Sequence, residues 1–522
     1  MTPKRLFRKS DAPVIATVAK NSLANLARLG TSWLVVLFLP PLLVRVLNKP
    51  TYATWVLILQ LGAYITIFDG GIQSAIGRFV ARAHSLEDDR YMGQTLSSAG
   101  FIMLLAAAAT ALLTIIVSWQ LDHIFHGIPA STGNEARKAL FVVGMSLALS
   151  LPFSTLAGVF LGLQMNEVNA LAASVGKFAG AAGAAWAAYH RQGLYAMAIW
   201  IGFGNILQGL TYLLAWMRLG VSGYLRRSHV THHFLREFVT FSFAMFATQL
   251  GGILITGMDM PIVAAFDFHS AAYYAVAATA STMLSAQGAI APALIPVASE
   301  MNAVRTPHHL GQMVLKTTRY ATASLCLITM PLLFGMHPFL RLWVGSDYAH
   351  HALPLAVILV VAQFIRQTLM PYAAAGFGAG QQRQMLTSPI GEGIVNLTCS
   401  VAGAHFFGAI GVALGTLIGA CFGVFLHFTV SMPRTDSMAF SPVLLANNGI
   451  LKPIACCLPS VLLLLIVTRP AQRLASISIA IIIGELFAIL FLWNINFDAP
   501  ERSQMIALLW STINRNYLKK SR

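Results

Sequence analysis

VAKNSLANLARLGTSWLVVLFLPPLL, residues 18–43, is an apolar run with one arginine, Arg28, near its middle and the pair Pro40-Pro41 near its end. A helix needs about 20 mostly apolar residues to cross a bilayer, and this run is long enough. Lys4, Arg5, Arg8 and Lys9 precede it, as in a signal peptide. The run is too long for one and shows no clear small-residue cleavage site, so it is read as a retained first helix.

The same character recurs along the chain. Candidate spans lie near 18–43, 52–77, 95–118, 139–162, 168–189, 194–217, 236–260, 271–297, 319–341, 353–375, 389–407, 409–430, 450–468 and 474–494. Fourteen spans leave connectors of at most about 20 residues, too short for an extramembrane domain. Composition agrees. Of 522 residues, 57% are hydrophobic and 10% charged, where soluble chains carry about 25% charged. Mean hydropathy is +0.70. These values exclude a disordered chain, a collagen and almost any soluble enzyme of this size. The expected fold class is an all-α polytopic membrane protein. The net charge of +16 is read as a basic face against anionic membrane lipids rather than nucleic acid. Cys326, Cys399, Cys421, Cys456 and Cys457 sit in apolar runs and read as packing residues.

Lys and Arg set the orientation. With the N-terminus inside, 23 of them fall on inside segments and 8 on outside turns, and Arg28, Lys177 and Arg366 remain at membrane depth. Both termini are therefore expected in the cytoplasm. His229, His232 and His233 lie in a basic inside loop without a carboxylate or Cys at ligand spacing, and they read as solvated, not as a metal site.

The chain also reads as a duplication. Pro41 precedes Tyr52-Ala53-Thr54-Trp55 as Pro261 precedes Ala272-Tyr273-Tyr274-Ala275, an offset of 220 at the prolines. Six helices separate equivalent points, so the copies run parallel. The expected division is a six-helix lobe over 1–222, a second over 223–432, and two extra helices with a cytoplasmic tail over 433–522.

Charges at membrane depth carry the functional reading, since each costs about 2.5–3.5 kcal/mol at the bilayer centre unless it faces a cavity or partner. Asn21, Asn25 and Arg28 share one helical face. Asp69 stands before Gly70-Gly71 in the second run, with Arg78 and Arg82 following. Lys177 is central in the fifth run, Arg366 is deep in the tenth, and Glu485 is central in the last. Three cations against two carboxylates suit an anionic substrate, with Arg offering a fork that matches phosphate oxygens. Plainer alternatives stand beside this: an Arg28–Asp69 internal ion pair, Arg78 as a topology residue, Lys177 snorkelling to an interface. No Walker A sequence is present, and Gly376-Phe377-Gly378-Ala379-Gly380 follows no strand pattern. Neither an enzyme nor a cofactor is expected.

Residues 21–82 carry a resemblance. Asn21, the polar face with Arg28, Pro40-Pro41, Tyr52-x-x-Trp55, and Asp69-Gly70-Gly71 ahead of Arg78 resemble the polysaccharide transporters of the multidrug/oligosaccharidyl-lipid/polysaccharide exporter superfamily. The family's usual Gly between the Tyr and Trp elements is Ala53 here. The resemblance implies two six-helix lobes around a cavity that opens alternately to each side. It implies a flippase in a bacterial inner membrane that moves a polyprenyl-diphosphate-linked oligosaccharide to the outer leaflet for polysaccharide biosynthesis, possible partners being the polymerase machinery. Cavity cations would hold the diphosphate, and Asp69 would couple an ion gradient. A multidrug exporter or a peptidoglycan lipid-precursor flippase of the same superfamily is the alternative.

Overall fold

The first apolar run forms one helix, α1 (Val14–Val46), in a computed structural model that describes residues 14–65, 72–219, 251–255, 257–284, 291–303, 307–436, 438, 441–468, 474–503 and 506–507. The expected run of 18–43 is extended three residues to Val46, with both prolines inside the helix. The prolines remove two amide donors and bend a helix without having to end it, since its apolar residues still demand internally bonded backbone.

Next come α2 (Lys49–Ile65), α3 (Ile72–Leu86), α4 (Asp89–Ile124), α5 (Ala130–Gly162), α6 (Asn166–Tyr189) and α7 (Gly193–Leu219). Then follow α8 (Asp259–Phe266), α9 (Phe268–Ser281), α10 (Ala291–Ala303), α11 (Pro307–Phe334), α12 (Met336–Val344), α13 (Ser346–Gln367), α14 (Met370–Gly378) and α15 (Gln382–Leu426). The last two long helices are α16 (Lys452–Thr468) and α17 (Leu474–Phe491). The described residues contain no strand. Eight helices among them are long and apolar enough to cross a membrane, or nine when α11 and α12, bent by 62°, count as one span. The chain is thus a multi-pass membrane protein.

The element α15 shows why such a count runs low. Its 45 residues would stretch about 68 Å as one helix, twice a hydrocarbon core of about 30 Å. It is a hairpin instead. Gly408 adopts φ 57°, ψ −137° inside it, a conformation that favours glycine. Contacts then pair Gly403 with Gly411, Ser400 with Val412, Asn396 with Gly419, Glu392 with Gly423 and Gly391 with Leu426. One number falls as the other climbs, which is antiparallel packing. The expected break between 407 and 409 lies at this glycine.

The Asp267 carboxylate fixes the hairpin tip. One oxygen accepts the Ser270 amide at 3.3 Å and caps α9. The other accepts the Ala409 amide at 3.1 Å and caps the second hairpin arm. A cap is worth about 1 kcal/mol, up to about 2. Asp267→Ala is expected to cost about 2 kcal/mol in thermal unfolding of the purified protein, and Asp267→Asn much less, because Asn caps as well as Asp.

The residues cluster into two compact units, 1–276 with 397–412, and 277–396 with 413–522. The first has a core of Ile76, Phe79, Met92, Leu96, Met103 and Phe160 on α3, α4 and α5. In the second, Cys326, Cys456 and Cys457 pack with Leu464 and Ala488 where α11, α16 and α17 meet. Cys421 is exposed and Cys399 half-buried, so the packing role fits three of the five cysteines.

Candidate functional site: a cationic cavity in the first unit

In α1, Arg28, Ser32, Val35 and Leu39 are spaced four, three and four apart, so they form one stripe. That stripe is one wall of a cavity of about 420 Å³. The α6 wall presents Ser174, Gly176, Lys177 and Gly180, and α7 presents Ile201, Asn205 and Gln208. The fold therefore brings Arg28 and Lys177 to one cavity. Both side chains are exposed rather than packed in a core. No Asp or Glu lines the cavity among the described residues. Two like charges repel there, and a bound anion would relieve both.

Glycines set the cavity's back wall. A Cβ on Gly176 would stand 2.7 Å from the Gly204 carbonyl oxygen, and one on Gly204 would stand 2.9 Å from the Gly180 Cα. Gly176-x-x-x-Gly180 thus lets α6 and α7 touch backbone to backbone, the close approach that small residues permit between membrane helices. The contact fixes Lys177 on one helix against Asn205 and Gln208 on the other. Asn205 Nδ2 also donates to Ser146 Oγ at 3.0 Å, which holds its amide.

The other expected site residues fall as follows. Asn21 and Asn25 lie in α1, and their positions continue the stripe of Arg28 by spacing; their side chains are outside the described set. Asp69 lies outside the described residues altogether. Arg78 is exposed on α3 and does not line the cavity. Arg366 is in the second unit, where its Nε meets Glu392 Oε1 at 2.6 Å and its Nη1 donates to Gln363 at 2.7 Å.

The internal charge inventory of three cations and two carboxylates needs correction. Glu392 and Asp259 are also buried within helices. Asp259 accepts from the Tyr274 hydroxyl at 3.0 Å. Buried carboxylates with partners are easily missed in sequence, because the partner that makes them affordable is known only from the fold. Asn205 and Gln208 were also missed. Two amides three residues apart in an apolar helix were the available signal.

A family model described as polysaccharide biosynthesis protein matches residues 18–302, which includes every residue of the cavity. No curated protein matches the sequence. Among solved structures, the lipid II flippase MurJ in an inward closed conformation superposes with a TM-score of 0.65 at 18% identity, covering 91% of this chain and 98% of that one. A MATE crystal structure in the straight conformation gives 0.58 at 15% identity, over 84% and 99%. An inward-facing multidrug resistance MATE family transporter of the MOP superfamily gives 0.56 at 14%, over 83% and 98%. At these identities the likeness is one of fold.

Proposed function

The chain belongs to the polysaccharide biosynthesis protein family, and from that premise we propose that it is a flippase carrying a polyprenyl-diphosphate-linked oligosaccharide from the cytoplasmic to the outer leaflet. The observation that carries this reading is the pairing of Arg28 with Lys177 in a cavity whose described lining has no acid. A diphosphate needs concentrated positive charge, and the amides of Asn205 and Gln208 suit the adjoining sugar hydroxyls. The multidrug alternative would call for carboxylates to hold cationic drugs. The fold likeness to MurJ favours a lipid-linked substrate and keeps a peptidoglycan precursor as the second reading. The work is alternating access of two six-helix lobes, 1–222 and 223–432, with 433–522 appended. Asp69 is the coupling carboxylate for an ion gradient or the membrane potential.

Local geometry supports the duplication. Asn48 accepts the Thr51 amide at 2.9 Å at the start of α2. Asp267 does the same for Ser270 at the start of α9, 219 residues later. Deleting the gene is expected to trap lipid-linked oligosaccharide on the inner leaflet and stop polymer export. Continued export, with the inner-leaflet pool unchanged, would sink the flippase reading. If the precursor pool that accumulates is the peptidoglycan one, the second reading replaces the first.

Orientation is tested separately. The 23-to-8 distribution of Lys and Arg supports a topology with both termini in the cytoplasm. Arg319 and Glu501 meet side by side, which supports an even number of crossings between them, as in the six runs proposed there. A reporter active only in the periplasm, fused after Arg522, stays silent. A strong signal reverses the topology.

A further inference from the structure

We propose that a second groove in the first unit, where the C-terminal end of α4 meets the N-terminal ends of α5 and α7, holds a sugar ring of the carried oligosaccharide at the outer membrane surface. The proposal rests on the flippase reading and its orientation. The groove encloses about 810 Å³ and is lined by Trp119, Asn134, Glu135, Arg137, Lys138, Phe141 and Tyr195, with Ile115, Ser118 and Val142 beneath. Trp119 is 73% exposed, and Phe141 and Tyr195 are exposed as well.

The polar groups are of both signs, and two have protein partners. Glu135 Oε1 accepts the Tyr195 amide at 3.2 Å, and Arg137 Nε stands 3.2 Å from Asp122 Oδ2. The Asn134 and Lys138 side chains have no protein partner among the described residues. A pyranose presents hydroxyls that both donate and accept, and a C–H face that stacks on flat rings. The groove offers acceptors, donors and aromatic faces together. A phosphate or an anionic headgroup wants donors only, and Glu135 and Asp122 would oppose it. A plain interfacial belt needs amphipathic rings but no bonded carboxylate and guanidinium among them.

Trp186 separates the site from the belt. It lies on α6, is 49% exposed, has its ring 4.8 Å from that of His190 at a 53° tilt, and does not line the groove. The probe is the water-soluble repeat unit cut by mild acid from the strain's own exported polymer, free of diphosphate and prenyl chain. The full-length protein in nanodiscs is expected to transfer magnetisation to this glycan in saturation-transfer NMR. Trp119→Ala and Lys138→Met together weaken binding about tenfold, the effect of losing one aromatic anchor and one polar contact. Trp186→Ala leaves it unchanged. No transfer to the wild type, or equal loss in Trp119→Ala and Trp186→Ala, overturns the groove as a sugar site while export lost on gene deletion keeps the flippase reading. Export that persists in the deletion strain overturns both.

Discussion

Arg28→Ala reduces polymer export to the level of the deletion strain, with normal amounts of protein in the membrane. Arg28 heads the cavity-lining stripe of α1 and shares its cavity with Lys177. A charge-assisted hydrogen bond is worth about 1.5–3 kcal/mol, and a guanidinium can make two to one diphosphate. Losing both costs on the order of a hundredfold or more in substrate affinity. Arg28→Lys retains part of the activity, since a point charge replaces a planar fork. Lys177→Ala is nearly as severe, because the remaining cation cannot neutralise a diphosphate alone. Arg78→Ala loses less, as Arg78 lies outside the cavity lining. The check is polymer on the cell surface against immunoblotted protein in membranes. Full export by Arg28→Ala at normal expression removes the cationic cavity from the mechanism and leaves the helical architecture intact.

Arg319→Ala strikes stability instead. Arg319 on α11 is 8% exposed and its guanidinium bonds Oε1 of Glu501, a residue 5% exposed, in the short helical turn after the last span. Phe497 adds a ring contact to Tyr320 at 5.4 Å. Removing one partner of a buried pair costs about 3–5 kcal/mol, because the other charge stays buried without compensation. Arg319→Met with Glu501→Gln restores much of that, and a double-mutant cycle measures the coupling. Burial alone would push the Glu501 carboxyl up. The Asp498 amide, the Tyr320 hydroxyl and the Arg319 and Lys316 charges outweigh it and hold the group below its ordinary value. A depressed carboxyl contributes stability that is present above the unfolded value of about 4.3 and lost as pH falls through the folded one. Protease sensitivity of the C-terminal segment in the purified wild type therefore rises below about pH 4 and not between pH 6 and 8. In Arg319→Met/Glu501→Gln that acid step is absent. Acid-independent cleavage in the wild type would show that the pair does not hold this segment.

Much of this architecture is legible in local sequence because the bilayer makes demands that are local. A span must be apolar over a fixed length, and its breaks fall where backbone bonding changes, as at Gly408. Arg28 and Lys177 were legible for the same reason, since a cation in an apolar run needs a cavity or a partner. What escaped depends on residues far apart. Glu392 looks like a liability until α15 brings it to Arg366, and Glu501 looks like a tail residue until it meets Arg319, 182 positions away.

The carboxylate that caps two helices also sets a clock on biogenesis. Asp267 leaves the ribosome 142 residues before Ala409, the amide that its second oxygen accepts. At about 5–20 residues per second, that is an interval of roughly 7–28 s. Throughout it the first compact unit is unfinished, because residues 397–412 belong to it and have not yet been made. Residues 277–396, a large part of the second unit, are made before the first can close, so the two units do not complete strictly one after the other.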